Sequence, residues 1–165
     1  METIAVYWEP KIRIYGLTTQ TGLSLYTLLF PAGRLSYWGG VVKNLEGEDG
    51  KFELVNLQTA SAATMQLCLI PALDKQALHV RRMLEASFES EKATFLNVTA
   101  PVELIYLHGP HFQDRYGIVE AVLTPLDQAQ IPILASGCAG TSIYIVVSEN
   151  RAQNAAACLS ETFVL

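Results

Sequence analysis

The sequence is short of charge, and this limits the partners that the protein can bind. Only 16% of its 165 residues are charged, the formal net charge is −5, and the only adjacent basic residues are Arg81 and Arg82. Because nucleic-acid binding requires a concentration of positive charge, this composition argues against a nucleic-acid partner. Half of the residues are hydrophobic, which predicts a full core and an apolar surface that favours a subunit interface.

Cysteine is scarce and long apolar runs are missing. The three cysteines, Cys68, Cys138 and Cys158, are scattered and odd in number, which predicts free thiols in a reducing cytoplasm rather than a disulfide framework. No stretch is long and apolar enough to span a bilayer. The N-terminus lacks the basic segment that precedes the apolar core of a signal peptide. We therefore expect a cytoplasmic protein with no membrane partner.

The motifs of common catalytic sites are also missing. The sequence contains no G-x-x-x-x-G-K-[ST] phosphate loop and no G-x-S-x-G nucleophile elbow. His108 and His111 lie close to Asp114 and would suit a metal site or an acid–base pair, although no cysteine joins them at zinc-ligand spacing. A polar loop at a strand end is the simpler interpretation. We predict no catalytic residue, no metal and no cofactor, and keep a small enzyme that uses the His108–Asp114 loop as an alternative.

From residue 101 onward the pattern predicts strand, helix, strand, strand, helix, which is the order of a split βαβ, ferredoxin-like unit. Both faces of the first strand are apolar, which indicates a buried strand, and the first helix has apolar residues at helical spacing. The segments, in order, are PVELIYLHGP, IVEAVLTPLDQAQ, IPILASGCAG, TSIYIVVSEN and RAQNAAACLSETF.

The N-terminal part has a similar order with one ambiguous segment. A short strand is predicted at Ile4–Trp8 and a half-buried strand over KIRIYG. LSLYTLLF is apolar on every side, so it fits either a helix or a strand that forms a hairpin across TTQTG. SYWGGVVKNLEG favours a helix despite its glycines. The strands FELVNLQTAS, ATMQLCLIPAL and KATFLNVTAP follow, with the helix KQALHVRRMLEASF before the last of them. No flexible linker separates the halves, so we expect one packed body.

Ordered motifs in the C-terminal part resemble an ACT domain, and more narrowly the second ACT domain of aspartate kinases. These motifs are the D-x-x-G turn Asp114–Gly117, the strands at Ile131–Ile133 and Ile143–Val147, and the terminal Phe163–Leu165. At the N-terminus, T-I-A followed by K-I-x-I-x-G resembles the start of the same regulatory region. The resemblance implies an α+β fold of two ferredoxin-like βαββαβ (ACT) units.

The resemblance also implies boundaries and a role. Residues 1–10 would contribute a strand to the second unit, residues 11–100 would form the first ACT-like domain, and residues 101–165 the second. The kinase half of an aspartate kinase has no counterpart here, so we predict a non-catalytic regulatory protein that senses an amino acid. The alternative is a regulatory or structural subunit of an amino-acid biosynthetic enzyme such as an aspartate kinase.

Two glycine-ended turns, Thr18–Gly22 and Gln113–Gly117, are candidate effector sites. A helix that starts at such a turn offers free N–H groups and a partial positive charge to a carboxylate, although each glycine also fits a plain turn. The resemblance implies that the second strand of a partner domain holds the ligand's ammonium, and hence a homodimer through ACT–ACT pairing. Thr19 stands where the family has an acidic residue. The candidate ligand-binding residues are Thr19, Thr21, Gly22, Leu23, Asn56, Gln58 and Thr59 in the first half, and Asp114, Tyr116, Gly117, Ile118 and Ser136 in the second.

Overall fold

The computed structural model describes residues 11–46, 51–72, 74–91, 95–110, 112 and 116–165. The strands are β1 Ile12–Arg13, β2 Gly16–Pro31, β3 Phe52–Ser61, β4 Thr64–Pro71, β5 Phe95–His108, β6 Ile133–Ala139, β7 Ser142–Ser148 and β8 Phe163–Val164. The helices are α1 Leu35–Glu46, α2 Asp74–Glu91, α3 Ile118–Gln128 and α4 Ala152–Thr162, and a 3₁₀ turn at Ala32–Arg34 precedes α1. Within these residues, no helix is long and apolar enough to cross a membrane.

The chain folds into two compact units. The C-terminal unit contains the described residues up to Thr21 together with Glu103–Leu165, and the central unit contains Gly22–Val102. Strands β2 and β5 each run through a boundary between the units. Residues 11–21, which the sequence analysis places in the first ACT-like domain, therefore lie with the C-terminal unit. The strand predicted at Ile4–Trp8 lies outside the described residues.

The central unit has the βαββαβ order, and its strands lie in the order β3-β4-β2-β5. β4 is antiparallel to both β2 and β3. The helices contribute apolar residues at helical spacing, as α1 does with Trp38, Val41 and Leu45. The buried core of this unit consists of Tyr26, Leu28, Phe30, Trp38, Val41, Leu45, Leu67, Leu69, Val80 and Leu84.

The ambiguous segment LSLYTLLF lies within strand β2. The alternative of a strand is right for LSLYTLLF, but the predicted hairpin across TTQTG is wrong, because one strand runs from Gly16 to Pro31. Tyr26, Leu28 and Phe30 point into the helix-covered core at the two-residue period of a strand. Leu25 is also buried, at 2% exposure, and this burial of both faces hides the period in the sequence. The helix predicted over SYWGGVVKNLEG is confirmed as α1.

The C-terminal unit repeats the ferredoxin-like arrangement, with strand order β2-β5-β7-β6, and carries a parallel pair between β1 and β8. The Ile14 N–H donates to the Val164 carbonyl at 2.7 Å, and the Tyr15 N–H donates to the His108 carbonyl at 2.7 Å. The predicted fold class of two ferredoxin-like units is therefore confirmed. The buried core contains Ile12, Ile14, Ile105, Leu107, Phe112, Ile118, Val122, Leu126, Ile131, Ile143, Ile145, Val147, Ala152, Ala155, Leu159 and Phe163.

A buried carboxylate on strand β5 makes hydrogen bonds to the start of the last helix, α4. The sequence predicts two strands that meet at Pro101, whereas the structure has a single strand of 14 residues. Glu103, only 6% exposed, accepts hydrogen bonds from the backbone N–H groups of Arg151 at 2.9 Å and Ala152 at 2.6 Å. These N–H groups at the start of α4 have no acceptor within the helix, and Glu103 supplies one. The negative charge of the carboxylate also lies at the positive end of the helix dipole, which is favourable.

Candidate functional site

The candidate site is a cavity in the C-terminal unit between helix α3 and strand β6, with a volume of about 90 Å³. Its inner walls are the buried side chains of Ile118, Val122 and Ile143, and exposed residues of α3 and β6 form its mouth. The lining residues are Ile118, Val119, Val122, Leu123, Ser136, Gly137, Cys138 and Ile143.

The start of α3 lies at this cavity and depends on a glycine. Gly117 is the N-cap residue and has a φ of 82°, a left-handed conformation that other residues adopt at a cost. The Gly117 carbonyl accepts the N–H of Ala121 at 3.0 Å, which closes the first helical turn. Because the N-cap residue has no side chain, it cannot satisfy the N–H groups of that turn. The positive end of the helix dipole and these donors favour an anionic group here.

We expect Gly117→Val to lower the free energy of unfolding by about 1–2 kcal/mol, because a β-branched residue is strained at positive φ. A Cβ at this position would meet no atom within 4 Å, so the cost comes from the backbone and not from a collision. Gly117→Asn is the matched control, since asparagine tolerates the left-handed region. Urea unfolding of both variants is the measurement, and equal losses for the two would contradict the assignment of the cost to φ.

Strand β6 supplies the opposite wall. Ser136 pairs with Ile145 and Cys138 pairs with Ile143, and both partners belong to the core beneath the helices. Because paired residues point to the same face of a sheet, Ser136 and Cys138 face α3. Gly137 faces the other way, and a Cβ there would collide with the ring of Tyr144. The wall of the cavity therefore presents a hydroxyl and a thiol on the edge strand of the unit.

The structure brings together part of the candidate set predicted for the second half. Ile118 and Ser136 line the same cavity, and Gly117 immediately precedes it. Tyr116 is fully exposed and does not line the cavity, and Asp114 lies outside the described residues. Sequence reasoning missed Val119, Val122, Leu123, Cys138 and Ile143. Their signal was the i, i+4 spacing along α3 and the alternation of Ser136 and Cys138 along β6.

The first-half turn does not lead directly into a helix. No helix begins at Gly22, so the prediction of a helix N-terminus there is wrong. Thr19, Thr21, Gly22 and Leu23 lie within β2, and Gly22 adopts a φ of 72° inside that strand. The first helix of the central unit instead begins at Leu35, after the 3₁₀ turn that follows the strand. The positive φ of Gly22 therefore occurs inside a strand and does not mark the start of a helix.

The β3 candidates are split between the two faces of their strand. Leu57 pairs with Leu67, which lies in the core beneath the helices. The neighbouring residues Asn56 and Gln58 therefore point to the opposite face, whereas Thr59 shares the face of Leu57. A cavity of about 340 Å³ lies between α1 and β3. Its lining contains none of the seven first-half candidates and consists of Phe30, Leu35, Trp38, Gly39, Val42, Lys43, Val55, Leu57 and Leu67.

The alternative active-site loop is described only in part. His108 is exposed, its Nδ1 lies 3.3 Å from the Ser142 hydroxyl oxygen, and its ring centroid lies 5.6 Å from that of Tyr15. His111 and Asp114 lie outside the described residues. Among the residues that are described, no group of three His, Cys, Asp or Glu side chains could hold a metal ion.

The thiol of Cys138 is the only side chain of the cavity with a perturbed pKa among the described residues. Desolvation by partial burial raises the pKa of the Cys138 thiol above its ordinary value, so the thiol stays protonated at neutral pH and is a weak nucleophile.

We predict that iodoacetamide alkylates Cys138 more slowly at pH 8 than it alkylates a cysteine in an unstructured peptide. The reactive form is the thiolate, so the rate for Cys138 should reach half of its maximum at a higher pH than the rate for the peptide cysteine. Mass spectrometry of the peptide that contains Cys138 reports the rate separately from those of Cys68 and Cys158. The same or a lower midpoint pH for Cys138 would contradict the raised pKa.

The part of the chain that contains the cavity matches a known protein family. Residues 101–161 match the family model of the ACT domain. The matched segment begins within β5, contains α3, β6 and β7, and ends in α4. The predicted resemblance to an ACT domain is thereby confirmed. No curated protein matches the sequence.

Solved structures with similar folds cover almost the whole chain. The regulatory subunit of aspartate kinase from Thermus thermophilus, in its ligand-free form, has a TM-score of 0.77 at 9% identity, over 92% of this chain and 99% of that chain. The corresponding subunit from Thermus flavus has a TM-score of 0.75 at 8% identity, over 90% and 97%. Aspartate kinase from Synechocystis gives 0.77 at 12% identity, over 94% of this chain and 27% of that chain. At these identities, the likeness is one of fold.

Proposed function

We propose that this protein is a non-catalytic regulatory protein of the ACT type that binds an amino-acid effector at the cavity between α3 and β6. The observation that carries the proposal is that the first turn of α3 and Ser136 of β6 line one cavity, within the segment that matches the ACT domain. The fold of aspartate kinase regulatory subunits supports a regulatory role.

The two walls offer complementary groups to an amino acid. The free N–H groups and dipole of α3 suit the carboxylate, and the unpaired backbone carbonyls of an edge strand suit the ammonium. Because β6 is an edge strand and exposed apolar residues such as Val119 and Leu123 lie beside it, we propose that a second copy of the chain pairs there and completes the site. We place this homodimer in the cytoplasm, where the free thiols that the structure describes would stay reduced.

A thermal-shift screen with the twenty amino acids tests the proposal. An effector that binds only the folded protein stabilises it by about 2.7 kcal/mol at a hundredfold excess over Kd, so one amino acid or a small group should raise the melting temperature by several degrees. The same protein, given ATP, magnesium and aspartate, should release no ADP above background. Absence of any shift at millimolar concentration would contradict amino-acid binding, and sustained ADP release that a point variant abolishes would contradict the non-catalytic role.

A second candidate function is a regulatory or structural subunit of an amino-acid biosynthetic enzyme. The structures from both Thermus species are described as regulatory subunits of aspartate kinase, which favours this candidate. Affinity purification of the chain from its own cells is the test. Stoichiometric recovery of a chain with a kinase domain would support the subunit role, and recovery of the protein alone would favour an independent sensor.

A further inference from the structure

Resting on the function proposed above, we propose that the effector's side chain enters the cavity between α3 and β6 and is small and uncharged. Valine, threonine, leucine and isoleucine belong to this class, whereas lysine, aspartate and the aromatic amino acids do not. The size of the cavity and the chemistry of its walls lead to this assignment.

The volume limits the size of the side chain. The cavity measures about 90 Å³, whereas an apolar protein cavity of about 150 Å³ holds a benzene ring of six carbon atoms. On this scale the cavity admits about three or four heavy atoms, which is the size of a valine, threonine, leucine or isoleucine side chain. A phenylalanine ring would have to remain outside.

The walls determine the chemistry of the side chain. Ile118, Val122 and Ile143 are each at most 6% exposed and form an apolar interior. The polar side chains are the Ser136 hydroxyl and the Cys138 thiol, and among the described lining residues none is charged. Because a charge moved into apolar surroundings without a partner is strongly penalised, the cavity should reject the ammonium of lysine and the carboxylate of aspartate. The hydroxyl of threonine has Ser136 as a possible partner.

The cavity at the same position of the central unit provides a contrast. It also lies between the first helix and the edge strand of its unit, but it measures about 340 Å³ and includes Lys43 in its lining. A site there would accept a longer or aromatic side chain. The side-chain preference of the effector therefore distinguishes the two units, and the experiment below must report both preference and location.

Isothermal titration calorimetry of the full chain tests the preference with valine, threonine, alanine, lysine, aspartate and phenylalanine as probes. Because each methyl group placed in an apolar pocket is worth roughly tenfold in affinity, valine should bind at least tenfold more tightly than alanine. Lysine, aspartate and phenylalanine should bind at least tenfold more weakly than valine or give no measurable heat.

Two substitutions test the location. Cys138→Phe fills the mouth of the cavity from an exposed position on β6 and should abolish saturable binding of valine. Ala139→Phe is the matched control, because the next residue on the same strand points to the opposite face and does not line the cavity. It should keep the affinity within twofold. Circular dichroism melting verifies that both variants fold, and Val119→Trp, which closes the cavity from the exposed side of α3, replaces Cys138→Phe if that variant is unfolded.

The outcomes separate this inference from the proposed function. If no amino acid binds, both fail. If lysine, aspartate or phenylalanine binds as tightly as valine, the assigned class is wrong while the amino-acid sensor stands. If Cys138→Phe and Val119→Trp bind valine as the unaltered protein does, the side chain does not enter this cavity. Loss of binding in these variants alone, with the preference for small uncharged side chains, is the result we expect.

Discussion

Trp38→Ala is expected to lower the free energy of unfolding by roughly 3–5 kcal/mol, the usual cost of truncating a buried tryptophan. Trp38 is only 1% exposed and lies on the inner face of α1. Its ring centroid is 5.6 Å from that of Phe30 and 5.5 Å from that of Tyr37, which it meets edge-on. Removal of the indole leaves a cavity in the core of the central unit and breaks both aromatic contacts.

Trp38→Phe should cost much less, about 1 kcal/mol or below. The Trp38 Nε1 is buried and has no hydrogen-bond partner among the described residues. An unsatisfied buried donor is itself unfavourable by about 1–3 kcal/mol. Removing this N–H therefore offsets part of the stability that is lost because the smaller ring makes fewer contacts. Urea unfolding of both variants measures the difference. If phenylalanine costs as much as alanine, the indole N–H has a partner in solution.

Glu103→Ala is expected to lower the free energy of unfolding by roughly 2–4 kcal/mol, because hydrogen bonds to a charged group contribute about 1.5–3 kcal/mol. The buried carboxylate accepts the N–H groups of Arg151 and Ala152, and alanine would leave these donors at the start of α4 without it. The change also removes a negative charge from the positive end of a helix dipole.

Two further variants separate these contributions. Glu103→Gln keeps an acceptor oxygen and loses the charge, so it should cost about half as much as alanine. Glu161→Ala removes an exposed carboxylate from the last turn of α4 and should change the stability by less than about 0.5 kcal/mol. Chemical denaturation of all three is the measurement. A loss for Glu103→Ala no larger than that for Glu161→Ala would show that α4 does not depend on this cap.

The elements with a clear period could be predicted from the sequence. Strand β7 is rich in β-branched residues, α3 shows helical spacing and α4 is rich in alanine, so their order predicts the ferredoxin-like unit. Strand β2 could not be predicted in this way, because Leu25 and Tyr26 are adjacent and both buried, and a run that is apolar on both faces has no visible period. The inference that a glycine-ended turn starts a helix is also wrong at Gly22, since a positive φ fits an irregular strand as well as the start of a helix.

The candidate site could be predicted only where a local feature marks it. Gly117 marks the start of α3, and the residue after it, Ile118, lines the cavity. The resemblance indicates Ser136, which does face α3. It equally indicates Asn56 and Gln58, which face away, because a strand alternates its faces and a register shift of one residue exchanges them. Which residues of an edge strand face a helix is decided by pairing with β4 or β7, and no local pattern shows it.

An NMR titration is the most direct test of the central claim that the C-terminal unit binds an amino acid between α3 and β6. Valine would be added to ¹⁵N-labelled protein up to millimolar concentration, and the backbone amide shifts would be followed residue by residue. We predict saturable shifts that are largest at the first turn of α3, including Ile118 and Val119, and at Ser136 and Cys138 of β6. Shifts confined to the central unit, or an unchanged spectrum with valine and every other amino acid, would contradict the account.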